Sequence, residues 1–385
     1  MRGRDPEEVH RASTPLELLF DLCFVVAVSQ AAAQLHHGLL EDHLSRSLIG
    51  YGSVFFAIWW AWVNFTWFAS AYDTDDVPYR LLTLVQMSGV LILAAGVPAA
   101  FNNMDFATAT VGYFVMRIAL VAQWLRAAHA DHDHREVCRR YAVGIAVLQL
   151  GWIGRLWLPD TAGTVAFLAL VILEVVVPLW AERSGPMTTW HPEHISERYG
   201  LFTIIVLGES VLAATVAVQQ AIQTQGVSAE LLAISVGSLL LLFGIWWSYF
   251  DQSPEEFLRR DRSTAFPFGY AHLLVFAAVA ALGAGIQVAA ETAHRTGELS
   301  PADAAFAVAV PVVSYLVVAG VLFNWLDSSR RDWGAQAVKA ALVLAVALTV
   351  GRSSLPAAVL LMGLVMAGGI AHHVWSAARR VSSWR

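Results

Sequence analysis

The sequence predicts an all-α integral membrane protein with about 12 transmembrane helices, built as two parallel six-helix repeats. Apolar runs fill the chain almost end to end, arginines between them alternate from side to side, and the second half repeats landmarks of the first. A spanning helix needs roughly 20 mostly apolar residues, because each adds about 1.5 Å across a hydrocarbon core about 30 Å thick. Hydrophobic residues make up 57% of the 385 and charged residues 14%, where a soluble domain carries about 25%. The connections are too short to hold a soluble catalytic domain.

The first expected span, 16–36, follows a cytoplasmic segment 1–15 with mixed charges at Asp5, Glu7 and Glu8. It lacks a small-residue cleavage site and is expected to serve as its own insertion signal. The second, 48–71, carries Trp59, Trp60, Trp62 and Trp67. Indoles favour the headgroup level, and packing against a neighbouring helix is the default role for the rest. Spans 80–101, 106–125, 140–158 and 161–181 complete the first half, 16–181. A central loop, 182–198, leads to spans 199–219, 229–250, 268–290, 302–326, 335–350 and 355–378 of the second half, 199–378. A short tail, 379–385, closes the chain.

The charges test this count independently. One side carries Arg2, Arg4, Arg11, Arg80, Arg126, Arg135, Arg139, Arg140, Arg183 and Arg198. It also carries Arg259, Arg260, Arg262, Arg330, Arg331, Arg379, Arg380 and Arg385. The other has only Arg46, Arg155, Arg295 and Arg352. Under the positive-inside rule both termini are cytoplasmic, and gaining or losing one span would scramble the pattern. Lys339 is the only lysine against 23 arginines, as in a GC-rich bacterial genome, and a multi-pass protein of the bacterial cell (inner) membrane is expected.

The halves also echo one another. Ile58-Trp59-Trp60 aligns with Ile245-Trp246-Trp247, Arg80-Leu81-Leu82 with His272-Leu273-Leu274, and Tyr113 with Tyr315. Six spans per repeat is an even number, so both halves would share one orientation in the bilayer, as in one of the two repeat plans of secondary transporters.

Two segments carry a family resemblance. Thr14-Pro15-Leu16-Glu17-Leu18-Leu19-Phe20-Asp21-Leu22-Cys23-Phe24-Val25-Val26-Ala27-Val28-Ser29-Gln30 resembles the opening signature of the bacterial low temperature requirement A family. Glu197-Arg198-Tyr199-Gly200-Leu201-Phe202-Thr203-Ile204-Ile205-Val206-Leu207-Gly208-Glu209-Ser210 resembles its second signature. Leu19 and Cys23 depart from the usual Phe and Val, as packing changes. The family takes its name from growth in the cold, so the resemblance implies a membrane location and no particular activity.

Ionisable groups inside the membrane point to chemistry, since each costs at least ~2.5–3.5 kcal/mol near the bilayer centre unless paired, neutralised or wet. Glu209 and Arg117 fall at similar depth and are expected to pair. Asp21 and Glu174 lie in the cytoplasmic third and would join the same polar interior. Glu17 sits one turn before Asp21 on the same face, where a helix-start acid is favoured by the macrodipole. Three acids against one base leave surplus negative charge, which favours a protonated carboxyl.

Other candidates carry less. His129, Asp131, His132, Asp133, His134 and Cys138 crowd one loop without the paired spacing of a structural zinc site. The two cysteines give no disulfide framework. No phosphate-binding glycine loop, nucleophile elbow or zinc-protease motif is present, and nothing supports nucleic-acid binding. The expected function is therefore a transporter or permease-like protein without a cofactor and without enzymatic activity. Its partners would be membrane lipids and a small solute, proton or cation bound at Asp21, Glu209, Arg117, Glu174 and Glu17. Two rivals are a non-transporting structural or cold-stress membrane protein and an intramembrane enzyme acting on lipid.

Overall fold

The computed structural model describes residues 1–382 except 2, 6–7, 9–10, 42, 184, 295–298, 327–332 and 351–352. The expected basic positions Arg2, Arg295, Arg330, Arg331, Arg352 and Arg385 therefore lie outside the described residues. The chain is 86% helix, with no strand among the described residues. The long helices are α1 (Pro15–Leu40), α2 (Leu44–Tyr72), α3 (Val77–Asn103), α4 (Ala107–Ala130), α5 (Arg135–Arg155) and α6 (Asp160–Ala181). They continue with α7 (Pro192–Gln225), α8 (Ala229–Phe250), the short α9 (Pro254–Arg260), α10 (Ala265–His294), α11 (Pro301–Leu326), α12 (Trp333–Leu348) and α13 (Leu355–Ser382).

Ten of the described stretches are long and apolar enough to cross a membrane. Helices α5 and α12 fall outside that set. The apolar run of α5 is bounded by Arg139 and Arg140 at one end and Arg155 at the other, and α12 has only 16 residues. Helix α7 starts at Pro192, earlier than the expected 199, so Glu197 and Arg198 lie on a helix rather than in the central loop.

Local chemistry fixes the helix ends. Glu17 Oε2 accepts from the Thr14 amide at 2.8 Å, and the Glu17 amide donates to Thr14 Oγ1 at 3.3 Å. This reciprocal capping box satisfies donors that a helix start leaves open. Asp76 caps α3 by accepting from the Tyr79 amide, and Met104 ends that helix in the left-handed region with φ 56°. Ser228 caps α8 through the Leu231 amide.

The chain falls into two compact units, residues 1–31 with 53–199 and residues 32–52 with 200–385. In the first, α3 lies closely on α4: a Cβ on Gly112 would sit 2.5 Å from the Gly89 carbonyl oxygen. In the second, α8 and α13 approach just as closely, since a Cβ on Gly237 would meet the Val359 carbonyl oxygen at 2.6 Å. Small residues let backbones meet where lipid removes the hydrophobic drive for helix association. Apolar side chains such as Val165, Leu168 and Ile172 of α6 instead remain exposed, as expected of a helix long and apolar enough to cross a membrane.

Candidate functional site

Two buried carboxylate–guanidinium centres lie within the first unit, each holding one of the tryptophans of α2. The first gathers Asp21 and Glu17 from α1 with His194 and Arg198 from the start of α7. Arg198 Nη2 donates to Asp21 Oδ1 at 2.5 Å, and Trp62 Nε1 donates to the same oxygen at 2.7 Å. Glu17 Oε1 lies 3.1 Å from His194 Nε2 and 3.5 Å from Arg198 Nη1. All four ionisable side chains are fully buried. The four-residue spacing of Glu17 and Asp21 sets both on one face of α1, and the same spacing of His194 and Arg198 sets them facing it from α7.

This centre is not saturated. Asp21 Oδ2, Arg198 Nε and Nη1, His194 Nδ1 and the Tyr79 hydroxyl are buried with no hydrogen-bond partner among the described residues. The N-terminal segment folds over the nearby end of α2. Arg11 donates to the Ala69 carbonyl at 2.7 Å and to Ser70 O, covering orphan carbonyls of that helix, while the Ser13 amide donates to Glu197 Oε2. Asp73, just past α2, lies in this region, and burial together with the Glu17 charge pushes its carboxyl up.

The second centre surrounds Glu174 of α6. Its Oε2 accepts from Arg117 Nη2 at 2.5 Å and Trp60 Nε1 at 2.8 Å. Its Oε1 accepts from the Tyr113 hydroxyl and Trp152 Nε1, both at 3.1 Å, and from Gln149 Nε2 at 3.5 Å. Five donors from α2, α4 and α5 therefore engage one carboxylate. On the basic side, Arg117 Nε and Nη1 have no partner among the described residues. A cleft lined by Ser53, Thr110, Tyr113, Trp152, Arg155 and Phe167 reaches two of these donors.

The expected Glu209–Arg117 pair is not formed. Arg117 is taken by Glu174, and Glu209 is a half-buried residue of the second unit with no ion pair among the described residues. Depth along a helix matched the two residues, but depth says nothing about which faces meet. Asp21 and Glu174 likewise do not share one network; each has its own arginine. Arg198, counted above only among the basic positions of the cytoplasmic side, and His194 are the groups that bind the α1 acids. Their shared i, i+4 spacing opposite Glu17 and Asp21 was the available signal. Trp59, Trp60 and Trp62 are buried rather than interfacial, whereas Trp246 and Trp247 are about half exposed.

The histidine-rich loop has its own structural use. Asp131 accepts from the Tyr72 hydroxyl and pairs with His134 at 2.9 Å, and Cys138 Sγ donates to Tyr72. Burial pushes the Cys138 thiol up to about 12, which leaves it unreactive as a nucleophile.

Long apolar helices enclosing paired charges define a polytopic integral membrane protein. Residues 12–371 match the family described as bacterial low temperature requirement A protein (LtrA), and the chain belongs to that family. It is also similar to the uncharacterized protein RA0937 of Rhizobium meliloti (strain 1021), with 27% identity over 336 residues, 83% of this chain and 78% of that protein.

Proposed function

We propose that this is a proton- or cation-coupled permease of the bacterial cell (inner) membrane, with both termini cytoplasmic and the Asp21 centre as its titrating site. The observation that carries this reading is the contrast between the two buried acids. Glu174 has both oxygens engaged by strong donors. Asp21 keeps one oxygen without a hydrogen bond, whereas the arginines of the two centres are alike in leaving Nε and Nη1 unpartnered, so the difference lies in the acids. A carboxylate that only holds helices together is best with both oxygens engaged, because an unpaired buried polar group costs about 1–3 kcal/mol.

Charge counting supports the same assignment. Two carboxylates facing one guanidinium are neutral only when one further proton is held among Glu17, Asp21 and His194. That proton is the exchangeable one, Arg198 is the counter-ion, and Glu209 is a second acid for a cation in the other unit. Helices α5 and α12 complete the 12 spans in this reading, and the close pairs α3–α4 and α10–α11 support parallel halves. No bond-making step is assigned to these groups. The rival, a non-transporting structural or cold-stress protein, draws its support from the Glu174 carboxylate, both of whose oxygens are engaged.

The test uses proteoliposomes with an entrapped pH dye. Sodium, potassium or a small organic cation should elicit proton flux, and Asp21→Asn and Glu17→Gln should abolish it with the melting temperature nearly unchanged. A parent protein silent to every cation, with Asp21→Asn unstable and rescued by Arg198→Met, would leave the structural reading standing.

A further inference from the structure

The second unit contains a polar cleft that shares no residue with the acids discussed above. The last turns of α8 supply Ser248 and lead into Asp251, α11 supplies Tyr315 and Asn324, α12 supplies Gln336, and α13 supplies His373. Phe323 gives it an aromatic wall. A Cβ on Gly320 would meet the Gln336 stem at 3.3 Å, so the glycine leaves room for that side chain to lie along α11.

The cleft is rich in acceptors. Tyr315 donates its hydroxyl proton to the Ile245 carbonyl at 3.1 Å, and Ser248 Oγ lies 3.1 Å from the same oxygen. The two hydroxyl oxygens also lie 2.9 Å apart, so both protons are spent among Ser248, Tyr315 and the Ile245 carbonyl, and the remaining lone pairs are left for donors in the cleft. Asn324 spends an amide hydrogen on the Gly320 carbonyl at 2.7 Å. Gln336 Oε1 is buried with no partner among the described residues. Asp251 adds a carboxylate at the C-terminal end of α8, where the helix dipole adds negative potential. The lining contributes one imidazole, His373, whose Nε2 lies 3.1 Å from Asp251 Oδ2.

We propose that this cleft binds a small organic cation, an aliphatic ammonium or guanidinium. The charged head would take the place of the His373 imidazole at Asp251 and reach the Gln336, Ser248 and Tyr315 oxygens, with its methylenes against Phe323. Donor-rich cations fit an acceptor-rich cleft, whereas a carboxylate or phosphate would face Asp251 and a helix C-terminus. On the topology proposed above this end of the unit is cytoplasmic, but binding itself requires no transport cycle. Failure of the permease reading would leave this site untouched.

The experiment is a calorimetric titration of the full chain in detergent with butylamine, butylguanidine and butyrate. Saturable binding is expected for the two cations and none for butyrate. Asp251→Asn and Gln336→Leu should each weaken cation binding at least tenfold. Asp251 is exposed and Gln336 half-buried, and the melting temperature of each variant verifies its fold. His373→Ala should tighten binding several-fold, because the competing imidazole is gone. Equal binding of butyrate, no saturable cation binding, unchanged affinity in Asp251→Asn, or weaker binding in His373→Ala each overturns the assignment.

Discussion

Glu174 and Asp73 show how differently two acids in one unit are treated. Glu174 is buried among five donors, and removing its charge strands the Arg117 guanidinium. Glu174→Gln should destabilise the protein by about 3–5 kcal/mol, and adding Arg117→Met should recover much of that loss. Thermal unfolding of the two single variants and the double variant in detergent measures the coupling; additive losses would exclude it. Asp73 has the opposite sign. Burial first, and then the Glu17 charge, push its carboxyl above the ordinary aspartate range. The folded state thus holds this proton more tightly than the unfolded chain. Its stabilising effect is full below the unfolded value near ~4 and is lost as pH rises through the folded value. Asp73→Asn should therefore match the parent at low pH and melt higher at pH 8. A lower melting point at pH 8 would show that the charged form is the favoured one.

Helix pairs in this chain are set by where a side chain is missing. A Cβ on Gly112 of α4 would collide with the α3 backbone at Leu93 and Gly89, so Gly112→Val should drive the hairpin apart. A Cβ on Gly52 of α2 would meet nothing within 4 Å, so Gly52→Ala should gain up to ~1 kcal/mol of helix propensity. Melting temperatures of opposite sign are expected for two glycines that sequence alone treats alike. Equal effects would mean that packing at Gly112 does not limit stability. The same element scale explains the tryptophans of α2. A run of indoles reads as an interfacial belt, but Trp60 and Trp62 each end on a buried carboxylate, and Trp67 donates to the Tyr199 hydroxyl at 3.0 Å. Indole is a large apolar body with one donor, which suits it to hold a buried acid.

Across the whole molecule, the compact units do not follow the central loop. Residues 32–52 group with the second unit, and 192–199 group with the first. Asp21 therefore finds its arginine on the far side of any break at that loop. Expressed alone, residues 1–190 should lack a cooperative melt, and co-expression with 191–385 should restore one. A fragment 1–190 that unfolds as sharply as the parent would refute the shared unit. Much of this architecture was legible beforehand: apolar runs long enough to span, their helical character and the two family signatures are properties of contiguous sequence. The α5 and α12 spans were the weak points, because flanking arginines and a 16-residue length sit at the edge of what a bilayer requires.

The sequence by itself determined that the chain enters a membrane and that its backbone must be helical there, and it singled out Asp21, Arg117, Glu174 and Glu209 as ionisable groups within apolar runs, with Glu17 at a helix start. Those conclusions follow from the free energy of moving single groups out of water, which depends only on residue type and depth. Which charge meets which was decided by tertiary structure alone. Counting along the helices suggested Glu209 for Arg117, yet Glu174 is its partner, and Arg198 crosses 177 positions of sequence to reach Asp21. Partner choice depends on the azimuth of each helix and on its neighbours, and these are set by backbone approach at small residues and by indole and tyrosine donors converging from other helices. No periodicity within one helix encodes where another helix will lie against it.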